Sequence, residues 1–172
     1  MNKSNFRFSY KPVLKNQKEL IRTWIAQDHI KEWLHGDGLK NTLIDLEKFG
    51  IEPSLCQHWI AYDHDVPFAY LITSKVDKVS PEDSNAITLD LFICRVDYIG
   101  KGLAVKMIHE FLLNQSSDID EVLIDPEIAN ARAVHVYKKA GFNIIKEFIA
   151  SWHPVPHYQM RLLMKDLNKN TH

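Results

Sequence analysis

One apolar run does most to limit the folds open to this chain. Ile87-Thr-Leu-Asp-Leu-Phe-Ile-Cys94 reads as a strand. Tyr98-Ile-Gly-Lys-Gly-Leu-Ala104 follows it and opens a helix that runs to Leu113. Glu121-Val-Leu-Ile-Asp-Pro126 is then a second short strand, stopped by its proline. A strand, a glycine turn, a helix and a strand make a parallel crossover, and such units are right-handed. The run also holds one carboxylate, Asp90, where every other strand residue but Thr88 is apolar or a thiol.

The remaining periodicities surround this unit with other elements. Phe6–Tyr10 alternates as a first strand, and Lys18–Ala26 has the spacing of an amphipathic helix. His29–Leu34 is a short helical stretch expected to end at Gly36, and Thr42–Phe49 is a further helix ended by Gly50. Trp59–Tyr62 and Pro67–Thr73 flank Asp63-His-Asp-Val66 as a hairpin, and residues 76–85 read as a loop. Residues 116–120 form a polar loop, Asn130–Lys139 a helix closed by Gly141, and Phe142–Ser151 and Tyr158–Met164 two last strands. The expectation is an α/β fold: a mixed, mostly antiparallel sheet flanked by helices, in a single domain over residues 1–172.

Composition closes off other classes. Apolar residues are 45 % and charged residues 25 %, and the net charge is −1, which favours neither nucleic acid nor an anionic membrane as a partner. Two cysteines, Cys56 and Cys94, give no disulfide framework. Met1–Tyr10 has no apolar leader-like core and no stretch reaches membrane-span length, so a cytoplasmic location is the default. The nine histidines lack metal-ligand spacing, and Pro154 and Pro156 keep His153 and His157 off a common helix face. No metal is expected.

The glycine turn suggests chemistry. A helix start carries unpaired amides and a partial positive charge, and glycines let an anion approach them. The amides from Gly100 to Ala104, with the charge of Lys101, would cradle phosphates, although a lone Gly-x-Gly also serves as a plain tight connection. It has neither the Walker nor the dinucleotide spacing. After it stands Asn130-Ala-Arg-Ala-Val-His-Val-Tyr-Lys-Lys-Ala-Gly-Phe142. Together the two segments resemble the GCN5-related N-acetyltransferase (GNAT) superfamily. Gly102 and Ala104 match its pyrophosphate loop, and Asn130, Ala133, Tyr137, Gly141 and Phe142 match its later signature. The loop's leading Gln/Arg position is Ile99, a departure that removes one side-chain contact. Trp24, His29-Ile-Lys-Glu-Trp33 with Gly36, and Leu89-Asp90 extend the likeness to the aminoglycoside 6'-N-acetyltransferases, from about Phe6 to Met164. Hydroxylysine N-acetyltransferases share much of this framework.

The resemblance implies acetyl-CoA as co-substrate and a small cationic amine as acceptor. It implies cofactor contacts at Phe92, Cys94, Gly100, Lys101, Gly102, Leu103, Ala104 and Asn130, with Phe92 and Cys94 pairing to pantetheine through their backbones as an added strand would. It makes Asp90 the catalytic base or amine anchor, and Tyr137 the donor to the departing sulfur. Acceptor contacts fall on Trp24, Glu32, Trp33, Asp90 and Asp125. Read without the resemblance, Asp90 is a hydrogen-bonded sheet residue, Asp125 a turn residue, Asn130 a helix cap, Tyr137 and the tryptophans core. The expected activity is direct acetyl transfer to an aminoglycoside 6'-amine. Rival expectations are transfer to a small amine such as a hydroxylysine siderophore precursor, transfer to protein lysine, and a non-catalytic acyl-CoA-binding module. The chain is expected to be a monomer or homodimer.

Overall fold

A computed structural model describes residues 5–115 and 117–169. Its centre is one seven-stranded sheet in the order β1-β2-β3-β4-β5-β7-β6. The strands are β1 (Phe8–Pro12), β2 (Cys56–Asp63), β3 (Val66–Lys75), β4 (Ala86–Ile93), β5 (Glu121–Ile124), β6 (Asn143–Ile149) and β7 (Pro156–Leu163). Every neighbouring pair is antiparallel except β4 and β5, which are parallel. That one parallel pair is the crossover expected from the apolar run and the glycine turn.

Helices cover both faces. On one side lie α1 (Lys18–Ile25), α2 (Asp28–Lys31) and α3 (Gly36–Lys48). Ile21, Trp24, Ile25, Ile30 and Leu46 pack there against Ile60, Tyr70 and Ile72 of the sheet. On the other side α4 (Leu103–Leu113) and α5 (Ala131–Ala140) bury Met107, Ile108, Phe111, Leu112 and Ala140 against Phe68, Leu71, Leu89, Val122 and Met160. β4 contributes to both layers by simple alternation: Ile87 and Leu89 face the α4 side, Cys94 the α1–α3 side. Within α4, the Glu110 carboxylate accepts from the backbone N–H of Arg7 (3.1 Å) and Phe8 (2.9 Å) and so pins the start of β1.

Several boundaries differ from the sequence reading: β1 is shifted to Phe8–Pro12, β2 starts at Cys56, and three further differences have a local reason. Gly36 begins α3 instead of ending a helix, and α3 starts well before Thr42. Two glycines in its first turn hide its helical signal, and Gly36 takes a positive φ of 56°. Pro156 starts β7 instead of bounding a loop, since the first residue of a strand tolerates a missing N–H. Met164 begins α6 (Met164–Lys169), where a strand end was expected, and Leu167 of this helix is buried. Ser116, at the head of the expected polar loop, lies outside the described residues, as do residues 1–4 and 170–172.

Candidate active site

β4 and β5 pair only at Ala86–Glu121, Ile87–Val122 and Thr88–Leu123. Beyond Thr88 the two strands part, and β4 runs on to Ile93 with one edge free. A cleft of about 1150 Å³ opens at this wedge. One end is walled by α2 and α3, the other by the start of α4 and by α5.

The cofactor end begins with the glycine turn. Gly100 (φ 76°) and Gly102 (φ 69°) both take the left-handed conformation that side chains disfavour, and Gly102 is the N-cap of α4. The glycines are therefore required by the turn itself. Gly100, Gly102, Leu103 and Ala104 line the cleft, whereas Lys101 is exposed and does not. Arg132 on α5 lines the same cleft, its Nη2 3.9 Å from where a Gly100 Cβ would stand.

The free edge of β4 corrects one expectation. Cys94 N–H donates to Phe68 O at 2.8 Å and Val76 N–H to Ala86 O at 3.0 Å. Both ends of the β3–β4 ladder thus place the bonded pairs at even β4 positions, including Phe92 opposite Tyr70. The backbone groups of Phe92 and Cys94 face β3, and those of Leu91 and Ile93 face the wedge. The Cys94 carbonyl is further taken by Gln27 Nε2 at 2.9 Å, so Cys94 has no backbone group left for a cofactor. The Phe92 side chain does line the cleft. The Ile93 carbonyl on the free edge meets His29 Nε2 of α2 at 3.1 Å.

Two carboxylates form the floor. Asp90 on β4 and Asp125 just past β5 both line the cleft. The Asp90 side chain is open to solvent through the cleft, yet many protein groups surround it. That burial, and then the charge of Asp125, push its pKa up to about 6. Burial likewise raises Asp125, offset in part by His157, Lys146 and a hydrogen bond from Gln159. Asp125 Oδ1 is buried with no hydrogen-bond partner, which leaves an acceptor aimed at no protein donor.

Tyr137 lines the cleft from α5, and its phenol is held protonated by burial and by the charge of Asp90. It also packs in the core against Phe142, with ring centroids 6.0 Å apart, so its packing role holds as well. Asn130 lines the cleft while its Oδ1 accepts from Ala133 N–H at 3.1 Å, the cap expected from sequence. Glu32 and Trp33 line the acceptor end, but Trp24 is buried in the α1–α3 core and does not reach the cleft. The core reading of Trp24 is the one the structure shows, in place of the acceptor contact implied by the resemblance.

The sequence reading missed Asp45 and Glu127, which line the acceptor end and leave it markedly acidic beside Glu32, Asp90 and Asp125. Asp45 carries no motif, and Glu127 reaches the cleft only through the turn after β5. Neither cysteine offers a nucleophile. Cys94 is buried with Sγ 3.3 Å from Phe92 O, and burial keeps its thiol protonated; Cys56, half-buried, is shifted the same way.

Known proteins agree with this architecture. The acetyltransferase (GNAT) domain family profile matches residues 14–150. An aminoglycoside N(6')-acetyltransferase type 1 from Klebsiella pneumoniae is 25 % identical over 151 residues, covering 81 % of this chain and 75 % of that protein. The crystal structure of an aminoglycoside N(6')-acetyltransferase from Legionella pneumophila superposes with a TM-score of 0.91 at 62 % identity, covering 96 % of this chain and 97 % of that one. The fold is shared with AAC(6')-Ib in complex with ribostamycin and coenzyme A, at a TM-score of 0.77 and 20 % identity over 96 % of this chain and 97 % of that one. The strand wedge, the glycine cradle and these matches lead to one conclusion: the chain belongs to the GNAT family of acetyltransferases, with aminoglycoside N(6')-acetyltransferases among its relatives.

Proposed function

We propose that this protein transfers an acetyl group from acetyl-CoA to the 6'-amine of an aminoglycoside, by direct attack. The observation that carries the reading is the shape of the wedge: a phosphate-sized glycine cradle at one end and an acidic floor at the other, meeting along the free edge of β4. The name of the Legionella relative, at 62 % identity, supports the acceptor class.

In this reading the pyrophosphate rests on the amides from Gly100 to Ala104, and pantetheine lies along β4 at Leu91 and Ile93. Asp90 takes a proton from the bound ammonium, directly or through one water, and leaves a neutral amine. The nitrogen attacks the thioester carbonyl carbon, and the Leu91 N–H is a donor for the oxygen as charge develops there. The C–S bond breaks, Tyr137 protonates the departing thiolate, the second nitrogen proton is relayed back to the Tyr137 phenolate, and the first leaves Asp90 for solvent. The products are the amide, free CoA and one proton. Asp125, Glu32 and Trp33 hold the remaining amines and ring of a polycationic acceptor.

Arg132 completes the pyrophosphate site in place of the absent residue at Ile99. Arg132→Ala is expected to raise the KM for acetyl-CoA about tenfold with kcat retained, the mark of a lost binding contact. Lys101→Ala, away from the cleft, is expected to change it far less.

Initial rates of CoA release across kanamycin, tobramycin, hydroxylysine, spermidine and a lysine peptide test the acceptor. Saturable turnover with the two aminoglycosides, and acetyl placed on the 6'-nitrogen by mass spectrometry, is the expected result. Turnover confined to another amine replaces the acceptor and keeps the chemistry. CoA binding without turnover on any of them argues for the non-catalytic module.

A further inference from the structure

The acceptor end of the cleft holds a group of side chains that the transfer reaction does not use. His35, Glu127 and His153 come from three separate segments: the N-cap of α3, the turn after β5, and the connection between β6 and β7. His35 Nε2 lies 3.6 Å and His153 Nε2 3.7 Å from the same Glu127 oxygen, Oε1. One ligand atom from each of the three falls within 4.8 Å of the others. The two imidazoles stand edge to face, 4.2 Å between centroids.

These separations are too long for hydrogen bonds. The two distances to Glu127 approach the spacing of about 3.3 Å that donors take around a tetrahedral ion with bonds near 2.0–2.1 Å, and the two imidazoles need only a small side-chain adjustment to close on the same point. Two imidazoles and a carboxylate are a borderline donor set that suits zinc in preference to magnesium or calcium. The site is also built. Glu127 keeps only 14 % of its side-chain surface exposed, and the imidazoles 35 % and 30 %. The turn that carries Glu127 is fixed to β7 by Ile128 N–H donating to Pro156 O and Tyr158 N–H donating to Pro126 O, both at 3.0 Å. The connection carrying His153 is packed onto α3, where Trp152 closes over Gly38. Three anchored segments therefore bring three ligand atoms to one point.

We propose that His35, Glu127 and His153 bind a zinc ion, with a fourth position open to cleft water. The ion cross-links α3 to the β5–α5 turn and the β6–β7 connection, and so clamps the C-terminal hairpin to the acceptor wall. The sequence expectation of no metal rested on the lack of ligand spacing among the nine histidines, His153 and His157 included; the partners of His153 are instead remote in sequence. The site does not depend on which amine the enzyme acetylates.

The test uses the metal-free full-length chain and cobalt(II) chloride as a spectroscopic substitute for zinc. One equivalent is expected to produce the intense visible d–d absorption of a four-coordinate ion, which zinc chloride then bleaches. Zinc alone is expected to raise Tm. His35→Ala, His153→Ala and the near-isosteric Glu127→Gln should each weaken cobalt binding at least tenfold, while His64→Ala, at an exposed hairpin, leaves it unchanged. Circular dichroism identifies any variant that fails to fold, and Glu127→Gln then decides. Absence of the band in the wild-type chain, or wild-type affinity in Glu127→Gln together with either folded histidine variant, overturns the site.

Discussion

Asp90→Asn is expected to lower kcat/KM for the acceptor amine by about a hundredfold to a thousandfold and to leave acetyl-CoA affinity unchanged, the range typical for removal of a general base. Its pH behaviour gives the finer test. Asp90 titrates at about 6, so wild-type kcat/KM should fall as pH drops through about 6, where the base becomes protonated. The variant should lack that limb. Asp125→Asn removes the neighbouring charge that helps raise Asp90, so its limb should move to lower pH. Stability should change in the opposite sense to activity. The folded pKa lies above the ordinary aspartate value of 3.8, so the fold favours the protonated carboxyl. That contribution is complete below about pH 4 and is lost as pH rises through about 6. At pH 8 the wild-type protein holds a carboxylate where its site disfavours one, and Asn relieves this. Allowing for screening by cleft water, about 1 kcal/mol is expected, or a Tm higher by roughly 2–4 °C at pH 8. At pH 4 the gain should vanish. A variant with wild-type turnover would remove Asp90 from the chemistry.

Tyr137→Phe is expected to lower kcat by about tenfold to a hundredfold, with the KM for acetyl-CoA and the melting temperature nearly unchanged. The prediction separates two roles that one side chain holds. The ring packs against Phe142 within the α4–α5 core, and phenylalanine keeps that contact. The hydroxyl lines the cleft, and its proton is retained because burial and Asp90 both oppose the phenolate. A group that stays protonated at working pH is suited to give a proton to a thiolate. A thioester with a more acidic thiol needs that proton less and should lose less rate in the variant. Unchanged kcat with acetyl-CoA would leave Tyr137 as packing alone.

What the sequence made legible depended on whether a requirement was local. Gly100 and Gly102 stand out because the turn they form needs positive φ, a demand met within a few residues. Asn130 and Gly141 mark α5 for the same reason, as its cap and its left-handed end. Asp90 was conspicuous as a charge in an apolar run. The backbone edge available to a cofactor was not legible, because the alternation along β4 is set by its pairing with β3, and this exchanges Phe92 and Cys94 for Leu91 and Ile93. Trp24 was placed at the acceptor by the resemblance, whereas its helical stripe, read alone, gives the core position that it occupies. Arg132 and Glu127 acquire meaning only when α5 and the β5 turn close on the wedge.

The His29–Ile93 contact bears on how the two substrates meet. Ile93 O is the last carbonyl on the free edge of β4, and it already accepts from a histidine of α2, the helix that leads into Glu32 and Trp33. A pantetheine amide arriving at that edge competes with His29 for the same oxygen or shares it. In the proposed reading, displacement of His29 would shift α2, and with it the wall that faces the acceptor. The two binding events are then thermodynamically coupled through one atom, and reciprocity fixes the form of that coupling: whatever factor bound acetyl-CoA applies to amine affinity, the bound amine applies to acetyl-CoA.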